Sequence, residues 1–178
     1  MVIIDDAKRK KPVFLQDDPY LAHVVPENGA TQSVSEHLSG TMELAEKNCP
    51  LEILKNIVIS EALLHDAGKL SEEFFEYMDE IRKNGESAQR HMIDHTTGGG
   101  RILEDLIGKK CISDFICSAV YSHHGLLDNI NMESGATLFE KRLEKEIPFA
   151  VIKQRYFEII DKKLLIKYLA AAHIDLQK

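Results

Sequence analysis

The sequence predicts a single all-α domain, a helical bundle, and three observations carry that expectation. From residue 31 onward the apolar residues recur at three- and four-residue intervals, the period of one helix face. Alternating β-branched runs, the mark of strands, do not occur after Val25. The 178 residues, 44% hydrophobic and 29% charged, suffice for one core, and no repeat or low-complexity tract divides them.

Taken in order, residues 1–30 contain Pro12, Pro19, Pro26 and Gly29 and read as an extended, loop-rich lead-in to a domain over 31–178. A first helix over 33–47 has the stripe Val34, Leu38, Thr41, Leu44 and Ala45. A second, over 51–66, has Leu54, Ile57, Val58, Ala62 and Leu64, with Gly68 expected as the left-handed residue that closes it. Helices follow over 71–83, over 93–107 with Ile102, Leu103 and Leu106, and over 111–124 with Ile112, Phe115, Ile116, Ala119 and Val120. The remainder reads as 137–146 and 149–176, the latter broken near Asp161. Gly98, Gly99 and Gly100 would let a neighbouring helix, or a phosphate, approach the backbone; a mobile loop with a late helix start is the alternative.

Composition narrows the function classes. The N-terminus lacks the apolar core of a secretory signal, and no run is long enough to span a membrane, so no membrane role is expected. Cys49, Cys111 and Cys117 are odd in number and not closely paired, which suits small apolar fillers in a reducing cytoplasm. A net charge of −7 argues against a protein that grips duplex DNA by its phosphates alone. The basic residues are scattered, apart from Lys8-Arg9-Lys10-Lys11, Lys109-Lys110 and Lys162-Lys163. A nucleic-acid substrate would need metal ions or a partner protein to supply much of the attraction.

The histidines are the informative residues. His37, His65, His95 and His123 each fall on, or one turn ahead of, the apolar stripe of a different helix. One inward histidine is ordinarily a hydrogen-bonded core residue; four would leave costly unpaired imidazoles unless a metal took them up. His124 stands beside His123 at a helix end, before Gly125, and His91 sits one turn before His95 as a substrate-facing or solvated residue. Asp66 ends an apolar helix at the negative pole of its dipole, so a positive group, either Lys69 or a bound cation, should stand against it. Glu61, one turn before His65 on the inward face, needs a partner: a metal-bound imidazole or a lysine.

The ordered set His37, His65-Asp66 with Lys69, His95 and His123-His124 resembles the HD superfamily of metal-dependent phosphohydrolases. The words "EHLSGTMELA", "LLHDAGKLSEEF", "DHTTGGG" and "YSHHGLLD", spread over residues 36–128, are closer still to the HD nuclease of CRISPR interference, the Cas-three family. The resemblance implies an HD-domain helical bundle with two divalent metal ions that cuts single-stranded DNA. His37, His65 and Asp66 would hold one ion; Asp66 would bridge to a second held by His95, His123 and His124. Lys69 would neutralise a phosphate oxygen or pair with Asp66. With so many imidazoles, Mn, Fe, Co or Ni is expected ahead of Mg.

Two departures from the family pattern stand out. The family closes its first metal site with a late Asp in an "AD"-like word, whereas this chain ends "LLIKYLAAAHIDLQK". Asp175 is taken as the closing ligand on chemical grounds, with His173 the alternative. Nothing matches the phosphate-loop pattern G-x-x-x-x-G-K-[ST], so the helicase that works with this nuclease, alongside the CRISPR surveillance complex, is expected on a separate chain. The run Gly125 to Met132 would be its contact or an ordinary loop. Competing readings are an HD phosphohydrolase acting on a nucleotide and a non-catalytic metal-binding HD protein.

Overall fold

The computed structural model describes residues 18–85, 93–125 and 137–177. Its first elements are strands. Leu21–Val25 (β1) pairs antiparallel with Ala30–Ser33 (β2) around a turn in which Gly29 takes a φ of 69°. The lead-in reading foresaw extended chain here but no pairing, because neither strand is long enough to show alternation. Asp18 anchors the hairpin base, accepting from the backbone N–H groups of Tyr20 and Ser35 at 2.8 and 2.9 Å.

Ser33 then starts helix α1 (Val34–Asn48) with a capping box: its hydroxyl accepts from the Glu36 N–H, and the Glu36 carboxylate accepts from the Ser33 N–H. Helix α2 (Glu52–Leu64) follows, then a 3-10 turn over Ala67–Leu70 and α3 (Glu72–Asn84), capped by Ser71 and closed by left-handed Gly85. Next come α4 (Thr97–Ile107), α5 (Cys111–Ser122) and α6 (Leu138–Glu144). Asp161 breaks the last helical stretch into α7 (Phe149–Ile159) and α8 (Lys162–Asp175), capping the latter through the Lys163 N–H.

Helix α2 is the axis of the bundle, packed by α1, α4, α5 and α8. Its Leu63 and Leu64 are fully buried with Leu38, Ile102, Leu103, Ile116, Tyr156 and Leu165 in one core. Tyr156 carries its hydroxyl into that core and donates it to the Leu63 carbonyl at 3.0 Å. The periodic stripes locate this core, with two exceptions: Leu44 and Phe115, expected inward, are 60% and 54% exposed. No helix among the described residues is long and apolar enough to cross a membrane.

Gly68 resolves differently from expectation, while Gly98 to Gly100 make the close helix approach that was one of their two readings. Gly68 is not left-handed; it lies within the 3-10 turn, and a Cβ there would come within 2.4 Å of the His95 carbonyl oxygen. Gly98 lies against Gly68, and a Cβ on Gly99 would stand 1.9 Å from the Leu64 carbonyl oxygen. The glycine run thus brings the start of α4 onto the end of α2, backbone to backbone, and is buried away from any phosphate.

Replacing Gly99 with Ala should therefore destabilise the fold by about 3 kcal/mol or more, because the clash is with backbone. Gly40→Ala in α1, where an added Cβ meets open space, should instead stabilise it by about 0.5–1 kcal/mol. Urea denaturation of the two variants beside wild type checks the pair.

Candidate metal centre

Four segments of the bundle converge here. The second turn of α1 presents His37, and the end of α2 presents His65 and Asp66. The turn before α4 presents His95, and the end of α5 presents His123 and His124. Asp66 is buried at the centre, and its two oxygens face different partners. Oδ2 lies 2.8 Å from His37 Nε2 and 3.3 Å from His65 Nε2; Oδ1 lies 3.1 Å from His123 Nε2 and 3.7 Å from His95 Nε2. His37 and His65 bring their Nε2 atoms to 3.1 Å, and His95 and His124 bring theirs to 2.6 Å. Two donor sets result: His37, His65 and Asp66, and Asp66, His95, His123 and His124.

Whether these residues fit metal ions is decided by where their protons are. The Nδ1 atoms of His65, His95 and His123 lie 2.9, 3.0 and 2.7 Å from the carbonyl oxygens of Ala62, Ile93 and Val120. A carbonyl only accepts, so each Nδ1 carries the proton and each neutral ring points the lone pair of Nε2 inward. Lone pairs then face one another and a carboxylate, which is repulsive without a cation and favourable around one. The backbone carbonyls orient the imidazoles as outer partners orient metal-binding histidines generally. The residues fit a divalent metal ion.

Without metal, protons do part of this work. Burial disfavours ionisation of Asp66, but hydrogen bonds from His123, His37 and His65 outweigh it and hold the carboxyl far below the usual range. Burial also opposes a charge on His123, yet its bond to Asp66 raises its pKa on balance. His95 is lowered, chiefly by burial, and His124 by burial and by the neighbouring His123. Metal and proton compete for the same Nε2 of His123, so affinity weakens in acid.

Lys69 is only 4% exposed. Its ammonium donates to Asp66 Oδ2 at 3.0 Å, to the Ala22 carbonyl at 3.2 Å and to His23 Nε2 at 3.3 Å. Its three donors are thereby used, and of its two expected roles the structure displays the ion pair with Asp66. His23 was missed by sequence reasoning: it lies on β1, in the lead-in, where no helical period could place it. Burial and the Lys69 charge lower its pKa, so the ring stays neutral and accepts from Lys69.

Three further expectations meet a different outcome. The structure does not bring Asp175 to the cluster: its Oδ2 accepts from Asn56 Nδ2 at 2.7 Å. Asn56 lies nine residues before His65 on α2, roughly 13 Å along the axis, because α8 runs antiparallel to α2. His173 is exposed and meets Gln177 instead. Glu61 has neither of its expected partners; His65 Nδ1 bonds to Ala62, and no lysine reaches the carboxyl among the described residues. His91 and residues 126–132 of the expected partner-contact run lie outside the described residues.

Asp94 fixes the turn that carries His95. It accepts from the N–H and hydroxyl groups of Thr96 and Thr97, pinning the helix start four residues later than the periodic pattern suggests. Arg142 and Lys145, at the end of α6 and just past it, pair with the same carboxylate at 3.2 and 2.6 Å. Burial opposes ionisation of Asp94, but these bonds prevail and its pKa is lowered. Such a group stabilises the fold above its unfolded pKa of about 4 and loses that contribution as pH falls toward its lower folded value. Asp94→Asn should thus cost about 2–3 kcal/mol at pH 7, with the deficit narrowing below about pH 4, in denaturation curves taken across pH.

Comparison with known proteins agrees with this geometry. No curated protein and no solved structure matches the chain. The family model described as "Cas3, HD domain" matches residues 18–173, spanning both donor sets and the hairpin that carries His23. With that match covering most of the sequence, the chain belongs to the Cas3 HD-domain family of metal-dependent nucleases.

Proposed function

We propose that this protein hydrolyses phosphodiester bonds of single-stranded DNA in CRISPR interference, using two divalent metal ions and a strand delivered by a helicase partner working with the surveillance complex. One observation carries the reading: Asp66 divides its two oxygens between two separate histidine sets. That is the arrangement a bridging carboxylate needs in order to hold two ions side by side. When bound, such a pair supplies Lewis-acid stabilisation to both the attacking and the leaving oxygen of an in-line displacement.

The protein's own residues keep the arrangement ready. Lys69, buried beneath Asp66, fixes the carboxylate and offsets part of its charge. The carbonyls of Ala62, Ile93 and Val120 fix the imidazole planes, so the site loses little orientation freedom on binding. No serine, threonine or cysteine is needed as nucleophile, and water is the attacking group. The acidic balance of −7 is in keeping with a reading in which the metal centre and a partner supply the electrostatic attraction for the phosphate backbone.

Asp66→Ala should remove metal-dependent cleavage of a single-stranded oligonucleotide while the far-ultraviolet circular dichroism stays native. Activity near wild type would sink the two-ion reading. Excess Mn should raise the thermal midpoint of the metal-stripped protein, about 2.7 kcal/mol being gained at a hundredfold excess over the dissociation constant. His124→Ala should shrink that gain, and an unchanged shift would remove His124 from the ligand set.

A further inference from the structure

A groove of about 500 Å³ runs from the metal centre between α1, α2 and α5. It is lined by Thr41 and Ala45 of α1, by Val58, Glu61 and Ala62 of α2, and by Ala119 of α5. Its inner end is formed by His65 and His123, one from each donor set. We propose that this groove is a nucleobase subsite, holding the base of a nucleotide adjacent to the scissile phosphate, with Glu61 hydrogen-bonding the base edge. The proposal rests on the nuclease reading above and adds to it where the strand lies.

Four observations converge. First, the walls shared with the metal ligands put the groove within one nucleotide of any phosphate held by Asp66 and the histidines. Second, the alanines Ala45, Ala62 and Ala119 leave a shallow, open groove with apolar walls, against which one face of a flat aromatic base can make van der Waals contact. Third, Leu44, one of the lining residues, and Phe115, one helical turn before Ala119, stay exposed although the apolar period of their helices points them inward. Apolar residues left uncovered beside a cleft mark a surface that is covered in use.

The fourth is Glu61 itself. It sits in this apolar groove with no hydrogen bond or ion pair among the described residues, and burial lifts its carboxyl to about 7. A carboxyl placed this way is costly for folding alone. Opposite a base it becomes useful, since it offers an acceptor to an exocyclic amine. The net attraction for the strand then comes from two places: phosphate at the metals, base in the groove.

The test compares binding of two fluorescent, phosphorothioate-linked strands of equal length, one bearing bases and one built from base-free tetrahydrofuran units. Anisotropy in Mn should show wild type preferring the base-bearing strand at least tenfold. Ala119→Phe, which fills the groove, and Glu61→Leu, which removes the polar contact, should each reduce the preference below threefold, with bound Mn by elemental analysis unchanged. A wild type without preference, or variants that keep it, overturns the subsite. Because binding is read without cleavage, a protein that shows the groove-dependent preference yet cuts no unmodified strand overturns the nuclease reading alone.

Discussion

Everything in this molecule is arranged around one buried carboxylate. Asp66 sits at the exit of a strongly apolar helix, where the helix dipole and the surrounding core both disfavour a negative charge. An isolated ion there would cost several kcal/mol. The fold answers with positive or proton-bearing groups from every side: Lys69 from the adjoining 3-10 turn, His37 from α1, His65 from the same helix end, and His123 from α5. Four chain segments must therefore meet at one point, and their meeting dictates where the helices start and stop.

That constraint explains the local oddities. Helix α2 ends in a tight 3-10 turn and not in a glycine cap, because Asp66 and Lys69 must share one face within a single turn. Helix α4 begins late because Asp94 takes up the first backbone N–H groups, leaving His95 free on the preceding turn. The β-hairpin has a similar place: Ala22 and His23 supply the two acceptors that complete the Lys69 ammonium. A segment that reads as a lead-in is thus joined to the chemistry through a lysine.

Much of this was legible in the sequence, for a physical reason. Inward histidines on helical stripes conflict with core burial, and such conflicts are concentrated at functional sites. His37, His65 and His123 were readable because each sits on or at the end of a strongly periodic helix, and His95 because it lies one turn ahead of the stripe of α4. His23 was not, because a five-residue strand carries too few turns of any period. Asp175 misled because its residue type suited a ligand, while its position is set by the antiparallel packing of α8 on α2, which no local pattern encodes. Gly68 misled in the same way: its spacing suited a cap, but the demand upon it comes from His95, distant in sequence.

The seam of Gly68, Gly98 and Gly99 has a bearing on how the two donor sets are spaced. One set hangs from the end of α2 and the other draws His95 from the turn before α4, and at this seam the two segments touch through backbone alone. The spacing between Asp66 and His95 is consequently gauged in large part by main chain, whereas His37 and His123 are held by the side chains that pack α1 and α5 on α2. Substitutions in the surrounding core therefore bear on those two histidines more than on the approach of His95 to Asp66.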